Sequence, residues 1–341
     1  MASIRPIPSS VPKSQRQSIP PAALYGTPGG EVRLRIATGG AGQSGLLQKL
    51  AEEFIDAYTQ RTSTPPFQIA WIATDTSLSF NALATGAADL SITYHPYAEA
   101  IALRQGIATR SVYAWRDHFM LVGSSLLDGR LVIYGHVLFV LELSSRCVPG
   151  PRSNPANLPV DQTLTINELF ALVFQAAVET STSPEPVKFL SRYDKSANNI
   201  RESNIWSSIG QTPWSHPYSS WYHRYIDFPF GALRAASRLG EYTLVDRGTW
   251  YAVGGEVRNK MMVFKESFDA QQDDPLINPA HALVGSLAKE GDLAEAFADW
   301  LSQADGGQKV IRDFATNGTI LYSPVRMNAQ PQDSRKRAFK L

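Results

Sequence analysis

The chain has 341 residues, 43% of them hydrophobic and 18% charged, as in ordinary globular proteins. Its net charge of +1 comes without a long basic block, which argues against a nucleic-acid partner. One cysteine, six scattered histidines and an interrupted longest apolar run exclude a disulfide framework, a zincin-type metal site and a membrane-spanning segment.

The first 30 residues are rich in proline and serine and contain no acidic residue. They lack the apolar core of a signal peptide, and their prolines oppose the amphipathic helix of a transit peptide. We therefore interpret residues 1–30 as a disordered tail. Residues 327–341, which include the run DSRKRAFKL, are interpreted as a solvated basic tail.

Strands and helices alternate after this tail. Strands are predicted for VRLRIAT, FQIAWIAT, ADLSITYHP and YAWRDHFMLVG, and helices for 45–59, 77–86 and 97–105. This β-α-β-α-β order predicts an α/β lobe with a largely parallel sheet.

A second group of elements begins near residue 154. Helices are predicted for INELFALVFQAAVE, SANNIRESNIWSSIG and FGALRAASRLG, the last with Gly240 as its C-cap, and strands for PVKFLSR and EYTLVD. The stretch GDLAEAFADWLSQADGGQKVIRDFA is predicted to be one amphipathic helix.

The loop after the first strand carries Gly40, Gly42 and Gly45 in the spacing G-x-G-x-x-G. A dinucleotide site would need an acidic residue about 20 residues later, but Asp75 comes 30 residues after the last glycine. Leu46 rules out a P-loop, because a lysine must follow the last glycine there. Two interpretations stay open: a turn that binds an anion at a helix N-terminus, and a tight turn without a ligand.

Two later turns have similar chemistry. The stretch KFLSRYDKSANNIRESNIW carries Arg192 and Ser196, and Asp194 could either pair with Arg192 or face a ligand. The turn TDTS, residues 74–77, also joins a strand to a helix. In open α/β sheets such turns lie at the carboxyl ends of the strands, where ligands bind.

Several motifs in this order resemble the type II periplasmic-binding-protein family, specifically the tungstate-binding proteins of bacterial ABC importers and their fungal relatives. The similar segments are ATGGAGQSGLL, GAADLSITYHP, RDHFMLVG, PRSNPANL, FLSRYDKSANNIRESNIW, GEYTLVDRGTWYA and DPLINPAHALV. The resemblance covers residues 32–326, and GEYTLVDRGTWYA is its most specific part.

The resemblance implies two α/β lobes joined by hinge strands that close over a tetrahedral oxyanion, tungstate or molybdate first. Residues 31–123 and 266–326 would form lobe 1, and residues 124–265 lobe 2. No cofactor, catalysis or metal cation is implied, and the protein is expected to be a monomer. An extracellular or cell-surface location is implied, and the transporter partner stays unspecified. The ligand-binding residues implied by the matching positions are Thr38, Ser44, Thr76, Ser77, Arg192 and Ser196.

The sequence departs from the family pattern at three places. Gly39, Gly40, Ala41 and Gly42 stand where the family has hydroxyl side chains, and in the later loop Tyr193 stands where it has glycine and Ala197-Asn198 where it has Gly-Thr. Residues 124–150 interrupt a motif that the family runs without a break, so we interpret them as an unspliced intron or gene-model error, with a genuine hairpin insertion as the alternative.

An alternative function is a sensor or binding module for phosphate, sulfate or a small organic acid. The stretch TPWSHPYSSWYHRYIDFPF favours it, because Trp214, Trp221, Tyr222 and His223 could line a cleft; packing in the lobe core is the competing interpretation. His95 is expected to be structural. Asp246 and Arg247 are expected to form a buried pair.

Overall fold

The computed structural model describes residues 18–124, 156, 158, 163–215, 217–267, 269, 274–316 and 318–325. The suspected insertion from residue 125 onward, the first 17 residues and the predicted basic tail lie outside the described residues. The strands are β1 (Ala23–Gly26), β2 (Val32–Thr38), β3 (Gln68–Ala73), β4 (Leu90–Thr93), β5 (Ala108–Ser124), β6 (Phe189–Ser191), β7 (Tyr222–Arg224), β8 (Thr243–Asp246), β9 (Met261–Glu266), β10 (Ile277–Gly285), β11 (Ala315–Thr316), β12 (Thr319–Ile320) and β13 (Ser323–Pro324). The helices are α1 (Gly40–Gln43), α2 (Leu46–Thr62), α3 (Thr76–Ala84), α4 (Pro96–Arg104), α5 (Ile166–Glu179), α6 (Ala197–Ser208), α7 (Pro229–Leu239), α8 (Arg247–Ala252), α9 (Gly255–Arg258), α10 (Gly291–Ser302) and α11 (Gly307–Asp313).

The described residues divide into two compact units. Unit 1 comprises those up to Asp117, Lys195–Ala197 and those from Asn278 onward; unit 2 comprises those of His118–Asp194 and Asn198–Ile277. The sequence placed the two main boundaries after residues 123 and 265, whereas contacts place them after residues 117 and 277. Strands β5 and β10 therefore each contribute residues to both units.

The sheet of unit 1 has a parallel centre and antiparallel neighbours. Strand β2 lies parallel to β3 and β4, with Ile36 opposite both Trp71 and Leu90. Strand β1 is antiparallel to β3, and β10 is antiparallel to β4. The prediction of a largely parallel sheet is thus correct for the centre only.

Strand β1 lies within the stretch that the sequence placed in a disordered tail. Residues 23–26 pair with 68–71, and Tyr25 is buried. The four-residue strand is flanked by prolines and glycines, so its sequence gives little strand signal before β3 supplies a partner.

The cores of the two units are built from apolar helix faces and clustered aromatic rings. In unit 1, Phe54 of α2 packs edge-on against Phe297 of α10 at 5.0 Å between ring centroids. In unit 2, the ring centroid of Phe170 on α5 lies 4.6 Å from that of Trp206 on α6, and the Trp206 centroid lies 5.2 Å from that of Phe189 on β6. Burying each such side chain contributes roughly 1.5–3 kcal/mol.

The ends of two unit 2 helices follow their sequence signals. Thr165 and Glu168 form a reciprocal capping box at the start of α5. Gly240 ends α7 in the left-handed conformation, with φ of 69°, which confirms the predicted C-cap.

The single helix predicted for residues 291–315 is wrong, because the chain folds as α10 and α11 with a turn between them. The turn places two glycines against the preceding helix. A Cβ atom at Gly306 would lie 2.6 Å from the carbonyl oxygen of Trp300, and one at Gly307 would lie 2.6 Å from the Cα atom of Leu301. Close backbone approach, which only glycine allows, therefore sets the break.

Replacement of Gly307 by alanine should lower the free energy of unfolding by about 1–3 kcal/mol, because the new methyl group meets backbone that cannot move aside. Gly291→Ala is the matched control, since Gly291 starts α10 and a Cβ there meets nothing within 4 Å. Urea denaturation of both variants checks this, and equal stabilities would contradict the close-packing explanation.

Candidate anion-binding loops

Thr38 ends β2 in unit 1 and starts the first of the predicted ligand loops. Its side chain is fully buried, and its hydroxyl oxygen Oγ1 has no hydrogen-bond partner among the described residues. Its carbonyl oxygen accepts from Trp71 Nε1 at 2.8 Å and from Thr74 N at 3.2 Å. The second of these bonds joins the loop after β2 to the loop after β3. A buried donor without an acceptor costs about 1–3 kcal/mol, which makes Thr38 a candidate donor to a ligand.

Most of the glycines in this loop are required by the fold itself, without any bound nucleotide. A Cβ atom at Gly42 would lie 2.1 Å from the indole ring of Trp71, and one at Gly39 would lie 2.8 Å from the carbonyl oxygen of Thr74. Gly45 adopts a φ of 86°, the left-handed conformation that leads into α2. Packing against Trp71 also explains why hydroxyl-bearing side chains cannot replace Gly42.

Asp75, the acidic residue considered above for a dinucleotide site, caps a helix instead. Asp75 Oδ1 accepts from the backbone N–H of Leu78 at 2.7 Å and so caps α3. With Gly42 explained by packing, Gly45 by its left-handed backbone and Asp75 by its role as a cap, the G-x-G-x-x-G spacing does not carry a dinucleotide site.

Three further predicted ligand residues lie in unit 1 with Thr38. Thr76 is the buried first residue of α3, whereas Ser77 is exposed and its hydroxyl donates to the carbonyl oxygen of Lys195 at 3.3 Å. Ser44 Oγ donates to Ala41 O at 3.3 Å and accepts from Tyr322 OH at 2.8 Å. The hydroxyls of Ser44 and Ser77 therefore already have protein partners.

The loop after β6 carries Arg192 in unit 2. Two of its residues have left-handed backbone: Tyr193, with φ of 48°, and Lys195, with φ of 61°. Tyr193 stands where the family motif has glycine, so the loop keeps a glycine-like conformation at the expense of strain. The Tyr193 ring is held under the guanidinium of Arg224, 5.1 Å from its centroid.

Arg192 is the only arginine among the predicted ligand residues. Its Nη2 donates to Asp194, as one of the two sequence interpretations held, and its side chain is 11% exposed. Its Nε atom is buried and has no hydrogen-bond partner among the described residues. Ser196, the sixth predicted residue, is half-buried, belongs to unit 1 and directly precedes α6.

The sequence analysis missed a buried polar network next to this loop. Glu202 of α6 is 1% exposed, and its Oε1 accepts from the hydroxyl of Tyr222 at 2.7 Å. Desolvation raises the pKa of the Glu202 carboxyl to about 8, and the nearby charge of Asp194 acts in the same direction. Burial and the Glu202 charge also raise the pKa of Tyr222.

One signal in the sequence could have pointed to Glu202. It lies four residues after Asn198 and four before Trp206, on the face of α6 that the structure buries. A glutamate at such a helical spacing between buried residues has to be paired or neutral.

The aromatic stretch of unit 2 is used mainly for packing. Trp221 packs edge-on against Trp206 at 5.1 Å, and His223 Nδ1 lies 2.9 Å from Glu241 Oε2. A cavity of about 460 Å³ borders this stretch, and its described lining, which includes Phe174 and Tyr218, contributes no charged side chain. Among the described residues, the cavity therefore offers an organic acid no charged partner.

His95 has the structural position that was expected. Its Nδ1 accepts from the backbone N–H of Ala98 at 3.2 Å, so it caps α4.

The interpretation of Asp246 and Arg247 as a mutual pair is wrong. Asp246 caps α8 by accepting from Thr249 N at 2.7 Å, and Arg247 pairs with Glu266 at 2.6 Å. A side chain that caps the helix beginning at its neighbour points away from that neighbour's side chain.

Comparison with known proteins decides the family. The model of the PBP superfamily domain matches residues 25–304. The chain belongs to the PBP superfamily. A solved structure of a periplasmic protein described as a candidate metal-binding protein is 43% identical, with a TM-score of 0.74 over 89% of this chain and 99% of that chain. The α/β fold of the type II periplasmic-binding-protein class is confirmed.

Curated relatives add information on ligands. A candidate ABC transporter anion-binding protein of Haloferax volcanii is 29% identical over 191 residues, 54% of this chain and 50% of that protein. The tungstate-binding protein TupA of Peptoclostridium acidaminophilum is 25% identical over 214 residues, 62% of this chain and 65% of that protein. The chain thus spans half to two thirds of these relatives, which are binding proteins of anions.

Within the described ranges, no helix combines the length and the apolar character needed to cross a bilayer. The same part of the chain holds no group of three or more His, Cys, Asp or Glu side chains arranged to bind a metal cation.

The buried Glu202 carboxyl should make stability depend on pH. Its folded pKa of about 8 lies above the ordinary value of 4.5, so between these values the folded state holds a proton that the unfolded state has lost. The stabilisation is fully present below pH 4.5 and is lost as pH rises towards 8. Between pH 4.5 and 8, the free energy of unfolding should fall by up to about 1.4 kcal/mol for each unit by which pH rises.

Urea denaturation between pH 5 and 8 measures this slope. Glu202→Gln cannot titrate and should flatten it, whereas the control Glu256→Gln, at an exposed position on α9, should keep it. The same slope in Glu202→Gln as in the natural chain would show that other groups cause the dependence.

Proposed function

We propose that this protein captures a tetrahedral oxyanion, tungstate or molybdate first, with residues of the loops after β2 and β6. One observation carries the proposal: among the described residues, Thr38 Oγ1 and Arg192 Nε are buried donors without an acceptor, and both lie in loops that resemble the family's ligand loops. Other buried donors, such as the indole of Trp115, also lack a partner in this part of the chain, but they lie outside those loops. The relatives named as anion-binding proteins support the same ligand class.

The chemistry of these loops favours an anion that is fully ionised. Hydrogen phosphate carries a proton at neutral pH and is best bound where a free carboxylate accepts it. Asp75 and Asp194, the carboxylates that adjoin the proposed ligand residues in the sequence, each already accept a hydrogen bond within the protein, because Asp75 caps α3 and Asp194 accepts from Arg192. What remains is a set of donors, which suits tungstate, molybdate or sulfate better than phosphate.

The six residues would contribute unequally. Thr38 and Arg192 would bind first, because their free donors lose no protein partner when the anion arrives. Thr76 and Ser196 would add hydroxyl donors. Ser44 and Ser77 now donate to carbonyl oxygens of the protein, and each would have to break that hydrogen bond before it could donate to the anion. All six come from one chain, so a monomer would suffice.

Capture would follow from a shift between open and closed states. If the closure that the family resemblance implies holds here, an anion that bound both Thr38 and Arg192 would favour the closed state over the open one, and this difference in affinity would drive closure. The proposed activity is binding and release, without a chemical change in the anion.

Arg192→Ala should weaken tungstate binding by about 1.5–3 kcal/mol, since a hydrogen bond to a charged group is lost. Isothermal titration calorimetry with tungstate, molybdate, sulfate, phosphate and small organic acids measures this and ranks the ligands. Arg238→Ala, which removes an exposed arginine of unit 2, is the control and should bind like the natural chain. Unchanged affinity in Arg192→Ala would contradict the site assignment, and preference for an organic acid would favour the alternative function.

Thr38→Val should separate binding from stability. Valine keeps the shape of threonine and removes a buried hydroxyl that lacks a partner, so stability should be equal or higher while tungstate affinity falls by about 1.5–3 kcal/mol. The control Thr180→Val should lower stability and leave tungstate affinity unchanged, because the Thr180 hydroxyl donates to Ala176 O at 2.7 Å and accepts from Val187 N at 2.9 Å. Thermal unfolding and calorimetry check both variants; a destabilised Thr38→Val with normal affinity would refute a ligand role for Thr38.

A further inference from the structure

The hydroxyl of Ser191 links the Glu202 carboxyl to the loop that carries Arg192. Ser191 is fully buried at the end of β6, and its Oγ lies 2.9 Å from the hydroxyl of Tyr222, which is bonded to Glu202. The same Oγ lies 3.3 Å from the backbone nitrogen of Tyr193 and 3.3 Å from Asn199 Nδ2. These contacts connect Glu202 to Ser191 and Tyr193, the residues on both sides of Arg192.

The groups that surround the Glu202 carboxyl come from three elements. Tyr222 of β7 donates to it, Ser191 of β6 and the indole of Trp206 on its own helix lie close by, and the charge of Asp194 reaches it from the loop. The neighbouring Arg201 donates to the carbonyl oxygen of Ile277 and interacts with Asp274 instead. The carboxyl therefore has a phenol donor, a serine hydroxyl, an indole and a nearby carboxylate among its neighbours.

We propose that Glu202 is a positioning residue of the oxyanion site and that anion binding is linked to proton uptake by its carboxyl. This inference rests on the proposed function. As a neutral acid, Glu202 supports Ser191 and Tyr222 without adding charge. Once ionised, it places a second carboxylate beside Asp194, the partner of Arg192, and so repels an arriving dianion.

The sign of the linkage follows from this repulsion. A bound dianion stabilises the protonated form of Glu202, so the protonated protein must bind the dianion more tightly than the ionised protein does. Affinity should be constant well below the pKa of this carboxyl and should fall as pH rises through it. At pH values above it, binding should take one proton from solvent for each anion bound.

Calorimetry of the full chain with tungstate between pH 7 and 9.5, in two buffers of different ionisation enthalpy, tests the inference. Tungstate keeps its charge across this range. The natural chain should lose affinity above about pH 8, by no more than about tenfold per pH unit, which is the limit for one linked proton. Glu202→Gln, which cannot ionise, should show neither the loss of affinity with rising pH nor the proton uptake.

Tyr222→Phe provides a second variant should Glu202→Gln fail to fold. The hydrogen bond from Tyr222 lowers the pKa of Glu202, so its removal should move the loss of affinity to a higher pH. The same pH profile in the natural chain and in either variant would overturn the inference. Binding that is independent of pH but lost in Arg192→Ala would overturn it while leaving the proposed function intact. Absence of tungstate binding at every pH would contradict the proposed function itself.

Discussion

Buried polar groups must find partners, and this constraint shapes the loops after β2, β3 and β6. Most candidates in these loops meet it within the protein: Asp75 caps α3, Asp194 accepts from Arg192, and Ser191 joins Tyr222. Thr38 Oγ1 and Arg192 Nε do not meet it among the described residues. Because an unpaired buried donor destabilises the fold, a ligand that supplies the acceptor would regain that free energy on binding.

The Arg192 loop adds strained backbone to this arrangement. Two non-glycine residues in left-handed conformation within one loop are costly, and Tyr193 and Lys195 hold theirs only because the surroundings fix them. The Ser191 hydroxyl fixes one side through the Tyr193 nitrogen, and Arg224 holds the Tyr193 ring. A rigid loop keeps the guanidinium oriented before the ligand arrives, which reduces the entropy lost on binding.

Local signals made much of the fold predictable from the sequence. Strand β2 and helix α5 have the predicted bounds, since their apolar patterns and the Thr165 cap are short-range features. The break between α10 and α11 was missed, because it depends on how closely Gly307 approaches Leu301. The reason for a glycine at position 42 could likewise not be predicted, because it is the close approach of Trp71 from another strand.

The candidate site was only partly predictable for the same reason. The loops and their donors follow from motif order, but the partners of each side chain depend on tertiary contacts. Arg247 illustrates this, as it pairs with Glu266 of β9 rather than with its neighbour Asp246. Glu202 was overlooked because a glutamate on a polar-looking helix is usually exposed, and only the fold shows that its face is buried.

The central claim is that the loops after β2 and β6 share one oxyanion. A crystal structure of the chain grown with tungstate tests it directly, because tungsten scatters anomalously and its position needs no assumption about the protein. The account predicts one strong anomalous peak, with anion oxygens within hydrogen-bond distance of Thr38 Oγ1 and Arg192 Nε. A peak that contacts neither residue, or no peak in crystals of a chain that binds tungstate in solution, would contradict it.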